Sequence, residues 1–230
     1  MADFPFDVVV FDLDGTLADT APDLAAALDH TLAALGRPAI DSESVRELIG
    51  PGAKELLRRA LAASGEADEA LVERALPIYL EHYAAHICVG TTPYPGIDEA
   101  LAALTARGVK LAICTNKRER LTHLLIDALG WSDRFAAIVG ADTLAVRKPD
   151  PLTLQEAIAR AGGGRAAYVG DSITDAETAR AARVPFVAVS FGFSDRPVEQ
   201  LGADAVIDSF ADLLGTLAQL SARSASEPCR

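Results

Sequence analysis

Val8-Val9-Val10-Phe11-Asp12-Leu13-Asp14-Gly15 joins a short apolar run to two carboxylates and a glycine. The run is β-branched, too short for a helix and not alternating, so it predicts a strand buried on both faces of a parallel sheet. The Asp-Gly pair marks a turn at the strand's end. Beyond it the period changes. Leu24, Leu28, Leu32 and Leu35 recur at helical spacing, with Thr20 as N-cap, Pro22 in the first turn and Gly36 at the end. Further helices are predicted over Ser44–Ile49, Ala53–Ala63 and Asp68–His86, with Pro77 as a candidate kink. No strand-like run interrupts them, and a small helical bundle is expected.

From Pro95-Gly96 onward helices and strands alternate. Helices are predicted over Ile97–Arg107, Arg118–Leu129, Leu152–Ala161, Asp175–Arg183 and Phe210–Leu220. Strands are predicted over Val109–Cys114, Phe135–Val139, Ala166–Val169, Pro185–Val189 and Ala205–Ile207. Such alternation means βαβ units and a doubly wound, Rossmann-like parallel sheet of the α/β class. The first strand belongs to that sheet, so the helical bundle is an insertion. The expected organisation is an α/β core from residues 1–18 and 90–220, a helical cap over 19–89, and a disordered Ser-rich tail over 221–230.

The 230 residues are half apolar and 23% charged, a globular balance with length enough for a full core. No apolar run reaches the ~18 residues that span a membrane, and the start lacks the pattern of a signal peptide. Cys88, Cys114 and Cys229 have no CxxC spacing and suggest reduced thiols in a cytoplasmic protein. A net charge of −12 argues against nucleic acid or anionic membrane as partner. It leaves open a small anionic ligand, which a few local positive groups can hold. No heptad seam indicates an oligomeric state.

In open α/β sheets, ligands bind beyond the carboxyl ends of the strands. Polar groups fall at four such ends: Asp12 with Asp14, Thr115 with Asn116, Lys148, and Asp171 with Asp175. Singly, each has a structural explanation. Asp-Gly is a common turn, Thr174-Asp175-Ala176-Glu177 is a capping box, Thr115-Asn116 suits a cap or turn, and a lysine before Pro149 suits a solvated loop. Their convergence is what chance does not supply. Several carboxylates in one crevice repel one another unless a divalent cation sits among them, and Mg²⁺ prefers such oxygen ligands. Lys148 would add a second positive charge, while Thr115 and the backbone amides around Gly15 cradle phosphate oxygens. A carboxylate beside a metal-held phosphoryl group can attack it. A second carboxylate two residues on can protonate the leaving group and then deprotonate water.

The segments Asp12-Leu13-Asp14-Gly15-Thr16-Leu17-Ala18-Asp19-Thr20, Cys114-Thr115-Asn116-Lys117, Lys148-Pro149-Asp150-Pro151 and Gly170-Asp171-Ser172-Ile173-Thr174-Asp175 carry a resemblance to a known family. The chain resembles the haloacid dehalogenase superfamily of phosphatases, and within it the phosphoglycolate phosphatase-like group, over nearly its whole length. The resemblance implies a Mg²⁺-dependent phosphomonoester hydrolase acting through an aspartyl-phosphate, with 2-phosphoglycolate as the expected small phosphorylated metabolite. It makes Asp12 the nucleophile, Asp14 the general acid/base, Thr115 a phosphate ligand with Asn116 beside it, and Lys148 the stabiliser of Asp12. The metal would be held by Asp12, the Asp14 backbone carbonyl and Asp171, with Asp175 helping through water. Dehalogenases resemble this motif but lack the second carboxylate, which favours phosphate over halide.

By the same resemblance, residues 19–89 are a mobile cap that excludes water and selects the leaving group. The stretch Ile49-Gly50-Pro51-Gly52-Ala53-Lys54 resembles the family's active-site-facing cap loop, with Pro51 where Asn is usual. Lys54 opposes the macrodipole of the helix it opens, so a substrate carboxylate is one reason for it, assisted by Arg58 or Arg59. Lys117 is a second candidate anchor. His82 and His86 have the spacing of a metal pair but no acidic companion, and read as cap packing or surface. Ala182 stands where relatives usually have Gly before Val-Pro. Competing expectations are a sugar phosphomutase, a pyrophosphatase or broad phosphatase of the same superfamily, and a receiver-type signalling domain. Receivers are about half as long and need no cap.

Overall fold

The computed structural model describes residues 4–41, 45–46, 48–65, 67–194 and 196–224. Six parallel strands form the main sheet: β1 (Val8–Phe11), β4 (Lys110–Cys114), β5 (Ala137–Val139), β6 (Ala166–Gly170), β7 (Phe186–Val189) and β8 (Ala205–Ile207). Their order is β5-β4-β1-β6-β7-β8, with β1 between β4 and β6. All four residues of β1 are fully buried, as expected for a central parallel strand. Val9 and Phe11 point into one apolar cluster, with Ile97, Leu101, Leu125 and Leu213. Val8 and Val10 point into the opposite one, with Leu154, Ala157, Ala176 and Ala179. This two-residue alternation of faces explains why a continuous apolar run was required.

The helices on these faces are α4 (Ile97–Thr105), α5 (Glu119–Ala128), α6 (Pro151–Arg160), α7 (Ile173–Ala182) and α8 (Leu213–Ser224). The inserted segment supplies α1 (Ala21–Ala34), α2 (Ala53–Ala63) and α3 (Glu69–Ala85). Leu24, Leu28, Leu32, Leu57, Leu61, Tyr79 and Tyr83 build a third cluster there, which Leu121 and Phe193 join from the sheet side. Helix α3 runs through Pro77.

Several expectations are corrected. The helix expected over Ser44–Ile49 includes Ser44 and Glu47, which lie outside the described residues. Of the stretch expected as a tail, 221–224 belong to α8, which continues to Ser224 because Ser221–Ser224 contains no helix breaker. Residues 225–230 lie outside the described ones. The capping box on α7 is formed by Ser172 and Asp175, two residues before the one expected at Thr174. Thr20 occupies the N-cap position of α1, yet its side chain makes no cap bond and turns to Asp14 instead.

Sequence periodicity also missed a two-stranded antiparallel ribbon. β2 (Ala18–Asp19) pairs with β3 (Thr92–Pro93), tying together the two connections to the insertion. Next to it, the buried Asp23 carboxylate accepts hydrogen bonds from the Val89, Gly90 and Thr91 amides at 3.0, 2.8 and 2.8 Å, and from the Thr91 hydroxyl at 2.6 Å. Removing the carboxylate leaves several amides without an acceptor at a partly buried site. Asp23→Ala is therefore expected to cost about 2–4 kcal/mol in urea unfolding; a loss under about 0.5 kcal/mol would show that water replaces this strap fully.

Candidate active site

The register of the sheet brings the polar strand ends together. Phe11 lies opposite Ile113 on one side and Val169 on the other, so β1, β4 and β6 stop nearly level. Asp12, Thr115 and Asp171 follow at adjacent places. β4 and β5 lie on one side of β1 and β6, β7 and β8 on the other, which makes this crevice the topological switch point of the sheet. The Asp12 amide donates to the Val169 carbonyl at 2.9 Å, and the Thr115 amide to that of Val139 at 3.0 Å.

Lys148, almost wholly buried, projects into the crevice. Its Nζ donates to Asp175 Oδ1 at 2.6 Å and to the Tyr168 hydroxyl at 3.0 Å. It also lies 3.0 Å from Asp12 Oδ1, a charge contact without hydrogen-bond alignment. Asp175 is fully buried with both oxygens engaged: Oδ1 by Lys148 and Tyr168, and Oδ2 by the Ser172 amide and hydroxyl. It thus closes the α7 cap and orients Lys148 simultaneously. Burial pushes Asp175 up, but Lys148 and the surrounding donors outweigh it and hold the carboxyl below its ordinary value.

Asp171 accepts from Thr16 Oγ1 at 2.9 Å and from the Phe193 amide at 2.6 Å. Gly15, with φ of +83°, permits this approach: a Cβ there would lie 2.4 Å from Asp171 Oδ2. Burial, then the neighbouring Asp175 and Asp12, raise the Asp171 carboxyl well above the usual range. Burial likewise raises Asp12 to about 6, with Lys148 opposing and Asp175 and Asp14 adding to the rise. One buried lysine does not balance this carboxylate set. Oxygens of Asp12, Asp171 and Asp175 lie within 4.8 Å of one another, all buried. An all-oxygen anionic set of this kind fits a hard divalent cation.

Asp14 is less buried. Its Oδ1 accepts from Thr20 Oγ1 at 2.7 Å and lies 2.8 Å from Lys117 Nζ. Lys117 also donates to the Tyr83 hydroxyl at 2.9 Å and sits over that ring at 4.6 Å. The expectation of Lys117 as a substrate anchor changes accordingly: it is buried and joins Asp14 to a helix of the insertion. Asn116 Nδ2 donates to the carbonyls of Gly50 at 3.2 Å and Lys148 at 3.4 Å, which links the same two parts. The Thr115 hydroxyl accepts from the Lys117 amide at 3.2 Å.

A cavity of about 220 Å³ opens over these groups. Asp12, Asp14, Thr115, Asn116 and Lys117 form its floor, and Leu24, Leu56, Leu76, Tyr79, Leu80 and Tyr83 from the insertion form its roof. Lys54 lines it as expected, but its partners are Glu69 and Glu73, each at 2.6 Å. These glutamates, rather than a ligand, answer its unfavourable place at a helix start. Arg59, the other expected anchor, pairs with Glu55 at 3.0 Å and is not among the lining residues. Arg58 pairs with Glu55 and Glu69. His82 stacks on His86 and His30, with ring centres 4.3 and 4.0 Å apart, outside the cavity lining.

Arg118, Arg147, Tyr83 and Tyr168 were missed. Arg118 and Arg147 adjoin Lys117 and Lys148 in sequence, a signal available beforehand. Tyr168 was a lone polar tip in an apolar strand. Tyr83 carried no local signal.

Residues 9–189 match the family model of haloacid dehalogenase-like hydrolases, and the chain belongs to that family. More particularly, it is 48% identical to a Mesorhizobium japonicum protein named phosphoglycolate phosphatase, over 95% of this chain and 97% of that one. A protein of the same name from Caulobacter vibrioides is 46% identical over 89% and 88% of the two chains. Among solved structures, a predicted phosphoglycolate phosphatase from Haemophilus somnus superposes with a TM-score of 0.87 at 30% identity, covering 92% of this chain and 98% of that one.

Proposed function

We propose that the chain is a Mg²⁺-dependent phosphatase of small phosphomonoesters, with 2-phosphoglycolate as its substrate. The observation that carries the reading is the pairing of Asp12 and Asp14 on the floor of one small, roofed cavity, with Lys148 against the first and Lys117 against the second. The names of the relatives support the choice of ester.

In this mechanism the Asp12 carboxylate attacks phosphorus and the ester P–O bond breaks. Asp14 gives its proton to the departing alkoxide, leaving an aspartyl-phosphate. The ionised Asp14 then takes a proton from water as that water attacks phosphorus, and the P–O bond to Asp12 breaks. Thr20 and Lys117 hold Asp14 through Oδ1, leaving its other oxygen for proton transfer. Thr115 binds the phosphoryl group, and Lys148 offsets charge at Asp12. Asp12, the Asp14 carbonyl and Asp171 would hold Mg²⁺, with Asp175 contributing charge. When bound, the ion neutralises phosphate oxygens and the carboxylate set.

Residues 19–89 act as a cap that excludes bulk water, and a roof of leucines and tyrosines suits a small substrate. The thiols of Cys88 and Cys114 are unpaired, in keeping with a cytoplasmic setting. Among the described residues no helix is long and apolar enough to cross a membrane.

The direct test is phosphate release by purified protein with Mg²⁺ from 2-phosphoglycolate and a panel of sugar phosphates and pyrophosphate. Rapid cleavage of a sugar phosphate with 2-phosphoglycolate untouched would overturn the substrate.

A pH effect follows for the metal-free protein. A carboxyl whose pKa is raised on folding binds its proton more tightly when folded, so it favours the fold in acid and opposes it as pH rises. For Asp12, between its ordinary 3.8 and about 6, this amounts to about 3 kcal/mol. Asp171 acts in the same direction, whereas Asp175, held low, loses its contribution only in stronger acid. Relative to Asp12→Asn, the chelator-treated protein should lose stability from about pH 4 to about pH 7, and Mg²⁺ should restore it. Calorimetry showing a constant difference between the two proteins would contradict this.

A further inference from the structure

The charged groups lining the cavity divide sharply once their partners are counted. Lys117 is committed to Asp14 and Tyr83. Lys54 is held by two glutamates, each at 2.6 Å, so its charge is already answered within the insertion and offers little to another anion. Lys148, which lies beneath the cavity and is not among its lining residues, is enclosed by Asp12 and Asp175. Among the described residues, the remaining lining cations are Arg118 and Arg147, both exposed and without an ion pair.

Arg147 is the better placed. It directly precedes Lys148, so its backbone is anchored at the reacting end of the cavity. Its carbonyl accepts from the Asp150 amide at 2.9 Å, and the next carbonyl accepts from Asn116 Nδ2 at 3.4 Å. Its guanidinium reaches across to the inserted segment: Nη1 would lie 4.0 Å from a Cβ built on Gly52. Gly52 has φ of +98° and opens α2, and such a Cβ would also lie 3.1 Å from the Asn116 carbonyl. The glycine thus keeps a close seam at which Arg147 stands. A guanidinium is a planar fork of donors that matches a carboxylate in two parallel hydrogen bonds.

We propose that Arg147 is a specificity-determining residue that receives the carboxylate of the substrate, at the seam between sheet and insertion, while the phosphoryl group sits at Asp12. The inference rests on the reading of the substrate as a phosphorylated hydroxy acid. It assigns acid recognition to the sheet-side loop rather than to Lys54 or Arg59.

The test compares 2-phosphoglycolate with ethyl phosphate, which has the same chain length but no carboxylate. Wild-type protein should prefer 2-phosphoglycolate. In Arg147→Gln the ratio of kcat/KM values for the two esters should fall about 10- to 100-fold, the range for one charged hydrogen-bonded contact. The change should lie mainly in KM, with Arg147→Lys recovering part of the ratio. Equal losses on both esters, no loss, or a selective loss in Arg118→Gln instead would overturn the assignment. Wild-type protein without preference for 2-phosphoglycolate would instead mean that the substrate reading itself has failed.

Discussion

Asp12→Asn is expected to abolish turnover, with a loss of at least about 10⁴-fold and no covalent phosphoenzyme on any substrate. The amide has the shape of the carboxylate but neither its charge nor a nucleophilic oxygen anion. The substitution also removes one of the mutually repelling carboxylates near Asp171 and Asp175, so the inactive variant should be at least as stable as the parent without metal. That combination separates chemistry from folding. If Asp12→Asn turns over 2-phosphoglycolate at a normal rate, the covalent mechanism is wrong.

Asp14→Asn should reduce turnover by about 10²- to 10⁴-fold, the usual range for one acid/base group, and should do so unequally in the two half-reactions. An activated ester such as p-nitrophenyl phosphate has a leaving group that needs no proton, so Asp12 can still be phosphorylated. Water then lacks its base, and phosphoenzyme should accumulate as a burst of p-nitrophenol followed by slow release. A variant equally slow on activated and unactivated esters, with no burst, would assign Asp14 to positioning alone. The substituted amide would retain an oxygen for Thr20 and Lys117, which hold Oδ1 in the parent, so the expected loss reports proton transfer more than a displaced side chain.

Much of the fold was legible because its signals are local. A continuous apolar strand, regular strand–helix alternation and the run of amphipathic helices between Ala21 and Ala85 follow from which surfaces each segment must bury. Asp12, Asp14, Thr115 and Asp171 were legible as a set because they follow strand ends within one to three residues, and Lys148 because it stands in the loop after β5. Less legible were groups whose meaning depends on a distant partner. Lys117 looked like a free cation until Tyr83 and Asp14 closed on it. Lys54 looked like an anchor until Glu69 and Glu73 arrived from the next helix. Arg59 shares its helix but pairs with Glu55 and is not among the residues lining the cavity. The β2–β3 ribbon is too short to carry any periodicity.

By itself, the sequence determined the layered α/β architecture, the inserted helices and the carboxylates that end the central strands, since apolar patterning and strand-end chemistry are written within a few residues. Tertiary structure alone decided which charges remain available. Ion pairing depends on distances between segments far apart in the chain, and folding commits both lining lysines, Lys54 and Lys117, to internal carboxylates, leaving Arg118 and Arg147 open beside the site.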